Sequence, residues 1–366
     1  MKICYVSHDS ILEGIGQSQI VSLLNRYQEL GHSVNIVSCE KIGWESKHSN
    51  LHPQIHWTVL NFGSRGLIGA IGRLVRISQN LPRDFDVYHG RSDLAAAALA
   101  FAGRVPYLWD VRGLWVDQKI VIGTLPNNKL IVKIARMLES FAARNAMAMT
   151  TLSKEVLLPL EDRNRKLPKL RKVIPTCTDI DKFRHFPELP HQKTIILSGV
   201  FNNYYDIKKT QAYLEKYLER GYKTIWFRGH ESDRESFNIP SLEIRNATYW
   251  EMPANLALAS FGICFCKENA GISLKGVMPT KIAEFLAVGR PVLISKGMGD
   301  LDKLVIDYRV GVIASDDSDP EKVIKEMENL LADSGVSYRC RQLATNYFNM
   351  DVAVRNYLEI YNAMIE

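Results

Sequence analysis

The sequence predicts an α/β protein of two doubly wound domains in series, and three observations carry that expectation. Short apolar runs alternate with helix-length segments along the whole chain. The alternation restarts after a polar, proline-bearing stretch. The length, 366 residues, is too great for one ordinary domain and suits two. Strands alternating with helices build parallel sheets covered on both faces.

In the first half, strands are expected over 2–7, 33–38, 55–60, 86–89, 106–109, 147–152 and 172–175. The clearest helices between them are 17–30, 93–102 and 130–146. The first begins near Ser18 and stops at Gly31. In the third, Leu130, Ile131, Ile134, Met137, Leu138 and Phe141 recur at helical spacing with charged residues between them. The polar stretch 184–192 reads as a linker between a first domain, 1–185, and a second, 190–349. Beyond it, strands are expected over 193–198, 223–228, 242–246, 261–266, 291–295 and 311–314. Helices are expected over 207–220, 254–259, 281–288, 320–332 and 351–365, with one further short helix before the last strand.

Hydrophobic residues make up 46% of the chain and charged residues 23%, an ordinary globular balance. No apolar run reaches the roughly 18 residues of a membrane span. The N-terminus runs straight into a strand pattern, so no signal peptide is expected. The six scattered cysteines form no C-x-x-C pair and suit a reducing cytoplasm. The net charge of +6 is uneven. Residues 1–183 hold 24 basic and 16 acidic side chains, against 22 and 24 in the rest. A basic first half suits an anionic partner, although a solvated surface explains it equally well.

Ligands of open parallel sheets sit beyond the carboxyl ends of the strands, so chemistry is sought just after each strand. The first such segment, His8–Ser18, holds Gly14, Gly16 and Gln17 before a helix start, where a diphosphate would meet amide N–H groups. The third glycine of G-x-G-x-x-G is missing, and a plain glycine turn is an equally good reading. The second, Ser273–Val292, carries Met278-Pro279-Thr280-Lys281 into a helix with Glu284 one turn on. Thr280 is expected to cap that helix, Lys281 to meet phosphate and Glu284 to accept from ribose hydroxyls. An exposed Lys–Glu pair is the plainer reading. The third is Trp109–Asp117, where Asp110 and Arg112 follow a strand; either they serve a ligand or they pair to shape the loop. His89 and Arg91 also follow a strand and are candidates for the acceptor side.

These segments together resemble retaining glycosyltransferases of the GT-B fold, glycosyltransferase family 4 in particular. Glu284-Phe285-Leu286-Ala287 and Gly289-Arg290-Pro291-Val292 are similar to the family's nucleotide-sugar motif. Gly14–Gln19 resembles its glycine loop, Ile174–Phe183 its domain junction, and Trp250–Ile263 its approach to the donor site. The resemblance implies two Rossmann-like domains facing a central cleft, with helix 350–366 packing back on the first. It implies a nucleotide-sugar donor, UDP- or GDP-linked, and a glycan or lipid-linked acceptor in polysaccharide or glycoconjugate synthesis. It implies that Asp110 contacts sugar hydroxyls, that Arg112 contacts phosphate or acceptor, and that these act with Lys281 in catalysis.

Two departures stand out. Gly276 occupies the place where many members carry a second glutamate. Gly199-Val200-Phe201-Asn202 replaces the usual Gly-Arg, which leaves Lys208, Arg228 and Lys281 as the candidate diphosphate cations. No D-x-D follows a strand and no His/Cys ligand spacing occurs, so neither metal nor cofactor is expected. The arginine-bearing stretch 65–77 and the basic stretch 163–172 are candidates for peripheral contact with anionic lipid on the inner face of a membrane. An amphipathic helix and a solvated loop are the plainer readings there. No nucleic-acid partner is expected. A nucleotide-sugar 2-epimerase on the same fold, or a non-catalytic two-domain sugar- or nucleotide-binding protein, remains the alternative.

Overall fold

The computed structural model describes residues 1–12, 14–46, 48–64, 66–103, 105–190, 192–228 and 237–366. Its chain divides into two units. The first comprises Met1–Pro175, Lys275–Val277 and Asp351–Glu366; the second comprises Thr176–Leu274 and Met278–Met350.

In the first unit the strands are β1 (Lys2–Ser7), β2 (Ser33–Glu40), β3 (His56–Asn61), β4 (Val87–Arg91), β5 (Tyr107–Val111), β6 (Ala148–Thr151) and β7 (Leu170–Val173). They form one parallel sheet in the order β3-β2-β1-β4-β5-β6-β7. Apart from its first residue, each of β1 and β2 is buried throughout, as expected of strands covered on both faces. The alanine-rich helix Ser92–Ala102 lies close on the sheet. A Cβ at Gly90 would come within 2.9 Å of the Ala96 Cα. Trp109, Tyr107, Val6 and Leu99 fill the core beside the buried thiols of Cys4 and Cys39. Residues 275–277 join this unit through the Ser153 hydroxyl, which donates to the Lys275 carbonyl.

In the second unit β8 (Thr194–Ser198), β9 (Lys223–Arg228), β10 (Glu243–Asn246), β11 (Phe261–Cys264), β12 (Val292–Ser295) and β13 (Gly311–Ala314) form a second parallel sheet, ordered β10-β9-β8-β11-β12-β13. Ile195, Leu197, Trp226, Phe261, Leu293 and Met327 make its core. Gly262 leaves room for the Phe285 ring, which would stand 2.4 Å from a Cβ there. The polar stretch after Phe183 is held to this unit by Arg290. This guanidinium is 2% exposed and donates to the carbonyls of Phe186, Glu188 and Ala257. His191 of that stretch lies outside the described residues.

The first helix departs from expectation. It is helical from Gly14 rather than Ser18, and Gly16–Val21 runs as a π-helical segment into Ser22–Glu29. Gly14 and Gly16 therefore lie inside its first turns and not in a loop before it. Glu13 and Arg65, within two of the stretches singled out above, lie outside the described residues.

Candidate functional site

In each sheet the strand order reverses between two central strands, β1 and β4 in the first and β8 and β11 in the second. A crevice at the carboxyl ends follows from that topology. Both units place chemistry-bearing side chains there.

In the second unit, Gly199 follows β8 with φ +81°, a conformation that disfavours any side chain. A Cβ at Gly199 would stand 3.8 Å from the Lys281 Nζ. Lys281 is therefore aimed back over the end of β8 from the helix Thr280–Ala287. Its Nζ lies 4.6 Å from the Phe201 ring centroid and 4.3 Å from that of Tyr205. Only 8% of the residue is exposed, and the ammonium has no hydrogen-bond acceptor among the described residues. Burial pushes its pKa down. One turn on, Glu284 is equally buried, and desolvation pushes its carboxyl up to about 7 against the pull of Lys281 and Lys182. The pair is thus not the exposed Lys–Glu pair of an ordinary helix.

Thr280 does not cap this helix. Pro279 occupies the cap position, and the helix start has no side-chain cap hydrogen bond among the described residues. Proline has no side-chain acceptor and the Ile282 amide already donates to the Pro279 carbonyl at 3.1 Å, so the Thr280 and Lys281 amides are the ones open to an outside oxygen. Met278 is held beneath by the Thr176 hydroxyl, which donates to its carbonyl at 2.6 Å. Arg228 is buried at the end of β9. Lys208 is exposed on the helix Ile207–Glu219, whereas its neighbour Lys209 turns to Glu268 and Asp316.

Sequence reasoning did not single out Lys182, whose Nζ sits 3.5 Å from the Tyr249 ring centroid and 3.1 Å from that of Trp250. Burial pushes this ammonium down to about 8. No spacing signals it, because residues 182 and 249 meet only through the fold.

In the first unit, Asp110 at the end of β5 is 1% exposed. Its Oδ1 accepts from Thr150 at 2.9 Å and Tyr357 at 3.2 Å, and its Oδ2 from the His89 Nε2 at 3.2 Å. Arg112 stands 3.7 Å from Oδ1 and Arg91 3.9 Å from Oδ2. Despite the desolvation that opposes it, this company holds the carboxyl well below the usual carboxylate range; the Arg112 charge and the His89 hydrogen bond are its largest parts. All three of these hydrogen bonds come from within the first unit. Asp110 is thus an internal anchor, not the sugar contact expected of it.

His89 is likewise sealed and does not line a surface. Tyr5 stacks on it at 4.2 Å, and the Tyr361 hydroxyl meets its Nδ1 at 2.5 Å. Because a carboxylate only accepts, Nε2 carries the proton and Nδ1 accepts from Tyr361. Burial pushes the ring's pKa down, which keeps it neutral. Tyr357 and Tyr361 come from the C-terminal helix Met350–Ile365, one turn apart. Arg91 and Arg112 are the partly accessible members of the group, their side chains each 13% exposed.

The glycine segment divides by residue. A Cβ at Gly16 would fall 2.5 Å from the Ile11 Cα, while one at Gly14 would meet nothing within 4 Å. Gln17 is buried, its amide donating to the Ile11 and Ser49 carbonyls. The buried Glu40 holds the preceding turn, accepting from the Ile11 amide at 2.9 Å and from the Ser10 and Ser38 hydroxyls. Gln17 and Glu40 are thus scaffold. Among the described residues no group of three or more His, Cys, Asp or Glu is arranged to hold a metal ion. No helix among them is long and apolar enough to cross a membrane.

Residues 16–176 match the family model described as glycosyl transferase 4-like domain. No curated protein matches the sequence. Solved structures do match in fold. Sucrose-phosphate synthase from Thermosynechococcus elongatus superposes with a TM-score of 0.78 at 15% identity, over 100% of this chain and 99% of that one. HepE from Anabaena, solved with UDP and glucose, gives 0.70 at 12% identity, over 99% and 100%. WaaG, a glycosyltransferase involved in lipopolysaccharide biosynthesis, gives 0.63 at 11% identity, over 97% and 99%.

Proposed function

From a chain that carries a glycosyl transferase 4-like domain on the GT-B fold, we propose a retaining, hexosyltransferase-type enzyme that moves a sugar from a UDP- or GDP-sugar to a glycan or lipid-linked acceptor. The single observation that carries this reading is the Lys281 ammonium, buried without a hydrogen-bond acceptor among the described residues beside the uncapped first turn of Thr280–Ala287. A buried ammonium whose N–H donors find no acceptor is costly, and a diphosphate supplies both acceptors and negative charge. The complexes of HepE with UDP, UDP-glucose and glucose support a UDP-linked donor. The part WaaG plays in lipopolysaccharide biosynthesis supports a glycan or glycolipid acceptor.

In the proposed reaction the bond from the anomeric carbon to the β-phosphate oxygen breaks, and a bond from the acceptor oxygen to that carbon forms on the same face. The acceptor's proton passes to the departing phosphate. Lys281 and the leading amides of its helix meet the negative charge that grows on the diphosphate, a task that needs neither metal nor cofactor in this reading. Glu284, raised to about 7 and so about half protonated near pH 7, accepts from ribose hydroxyls and in its protonated form donates to them. In the first unit Arg91 and Arg112 are the proposed contacts to the acceptor or the transferred sugar, and Asp110 positions both.

The proposed location is the cytoplasm, at the inner face of a membrane. Arg165, Lys166 and Lys169 support it, being exposed beside the paired Arg163 and Arg171, as do Ile68 and Ile71 on the helix Gly66–Gln79.

The test is a panel of nucleotide-sugars with the pure protein, with and without acceptor, monitored by free nucleotide and thermal shift. Lys281→Met is expected to weaken nucleoside diphosphate binding roughly 10- to 100-fold, the worth of one charged hydrogen bond. Unchanged affinity in that variant would overturn the assignment. Sugar product formed without acceptor would point to an epimerase instead.

A further inference from the structure

We propose that Lys182 reads the oxo edge of the donor's nucleobase and thereby selects uracil or guanine over cytosine or adenine. The inference rests on the donor reading above and deepens it. Lys182 begins a well-fixed side chain. Its own amide donates to the Asp179 Oδ1 at 3.0 Å, and the adjoining Phe183 is fully buried with its ring 5.9 Å from that of Tyr249. The ammonium then ends between two aromatic faces, at 3.5 and 3.1 Å from the ring centroids. Those faces satisfy its charge, since each presents a negative quadrupole. They do not satisfy its N–H donors, and Nζ has no hydrogen-bond acceptor among the described residues.

Two neighbours say what kind of acceptor belongs there. Trp250 is 62% exposed although its ring lies against the buried ammonium, so much of the indole is left open for a base to pack on. Glu284 is near enough for its carboxyl and Lys182 to shift one another. The group proposed to hold ribose thus sits beside the group proposed to read the base attached to it. An ammonium can only donate. Uracil presents O4, and guanine presents O6 and N7, as acceptors. Cytosine and adenine place an amino group at the corresponding position, so donor would face donor there.

The experiment measures calorimetric affinities of UDP, CDP, GDP, ADP and inorganic pyrophosphate for the wild type, Lys182→Met and Lys182→Arg, with circular dichroism and melting as checks on folding. The wild type is expected to prefer UDP to CDP, or GDP to ADP, roughly tenfold or more, as a site with a buried donor rejects a ligand that leaves it unpaired. Which of the two pairs shows the preference names the base. In Lys182→Met the ratio should collapse to about one, with pyrophosphate affinity unchanged, and Lys182→Arg should recover part of the preference. If nucleotides bind and the ratio survives in a folded Lys182→Met, the Lys182 inference fails while the donor reading stands. If the folded wild type binds neither nucleotides nor pyrophosphate, both fail together.

Discussion

Glu284 sits in a place that a carboxylate would avoid unless it had work to do. Its carboxyl is pushed up to about 7 by burial, whereas an unfolded glutamate titrates near 4.3. Between those values the folded chain holds a proton that the unfolded chain has lost, so stability falls as pH rises through that window and levels off above it. The cost at pH 8 is about 4 kcal/mol, an upper figure for a side chain flanked by two lysines. Glu284→Gln keeps the shape and removes the titration. The variant should melt several degrees above wild type at pH 8 and coincide with it near pH 4, as followed by calorimetry across pH. A constant difference at every pH would sink this account. The same side chains show how far a site can be read without a fold. Lys281 and Glu284 stand one turn apart in sequence and are brought together as that spacing implies. Lys182 and Trp250, or His89 and Tyr361, meet only because separate elements converge, and no local pattern carries such a pair. Asp110 was conspicuous as a charge after a strand. What it does depends on Thr150, Tyr357 and His89, which only the fold brings to it.

The glycines of the first turn separate conformational need from coincidence. Gly16 has room for hydrogen alone against the Ile11 backbone, whereas Gly14 faces open space at an ordinary helical angle. Gly16→Ala should cost about 1–3 kcal/mol, because backbone must move to admit the methyl group. Gly14→Ala should be neutral or stabilising by up to about 1 kcal/mol, through the lost freedom of the unfolded chain. Paired melting curves decide it, and equal melting temperatures for the two variants would refute the distinction. Strands were the most legible elements, since those buried on both faces stand out as short β-branched runs, as in β1 and β12. Helices were less so. Trp115–Ile122 spreads its apolar residues around the polar run Asp117-Gln118-Lys119 and shows no 3.6-residue period. Leu157–Arg163 carries Pro159 in its first turn, a residue that ordinarily signals a break. The early start at Gly14 escaped notice because two glycines read as a loop.

The first unit is not closed by its own contiguous sequence. Its sheet ends with β7, yet its buried polar cluster depends on Tyr357 and Tyr361 from the last helix. That helix also buries Ala353, Val354, Ile360 and Met364, with Arg26 pairing to Asp351 and Lys172 to Glu359 around it. Removing it would expose several large side chains at about 1.5–3 kcal/mol each, a sum comparable with the whole stability of an ordinary domain. It would also strip His89 of its hydroxyl donor and Asp110 of one of its own, leaving buried polar groups unsatisfied. The second unit keeps Met350, and with it the Cys177 thiol contact and the bridge from Thr178 to Asn349. A chain ending at Met350 should therefore lose order selectively. Under limited proteolysis, peptides from 1–175 should be cut rapidly while a fragment spanning 176–350 persists, as mass spectrometry of the digest would record. Protection of the first unit equal to that in the full chain would show that the helix is an accessory and not a structural part of it.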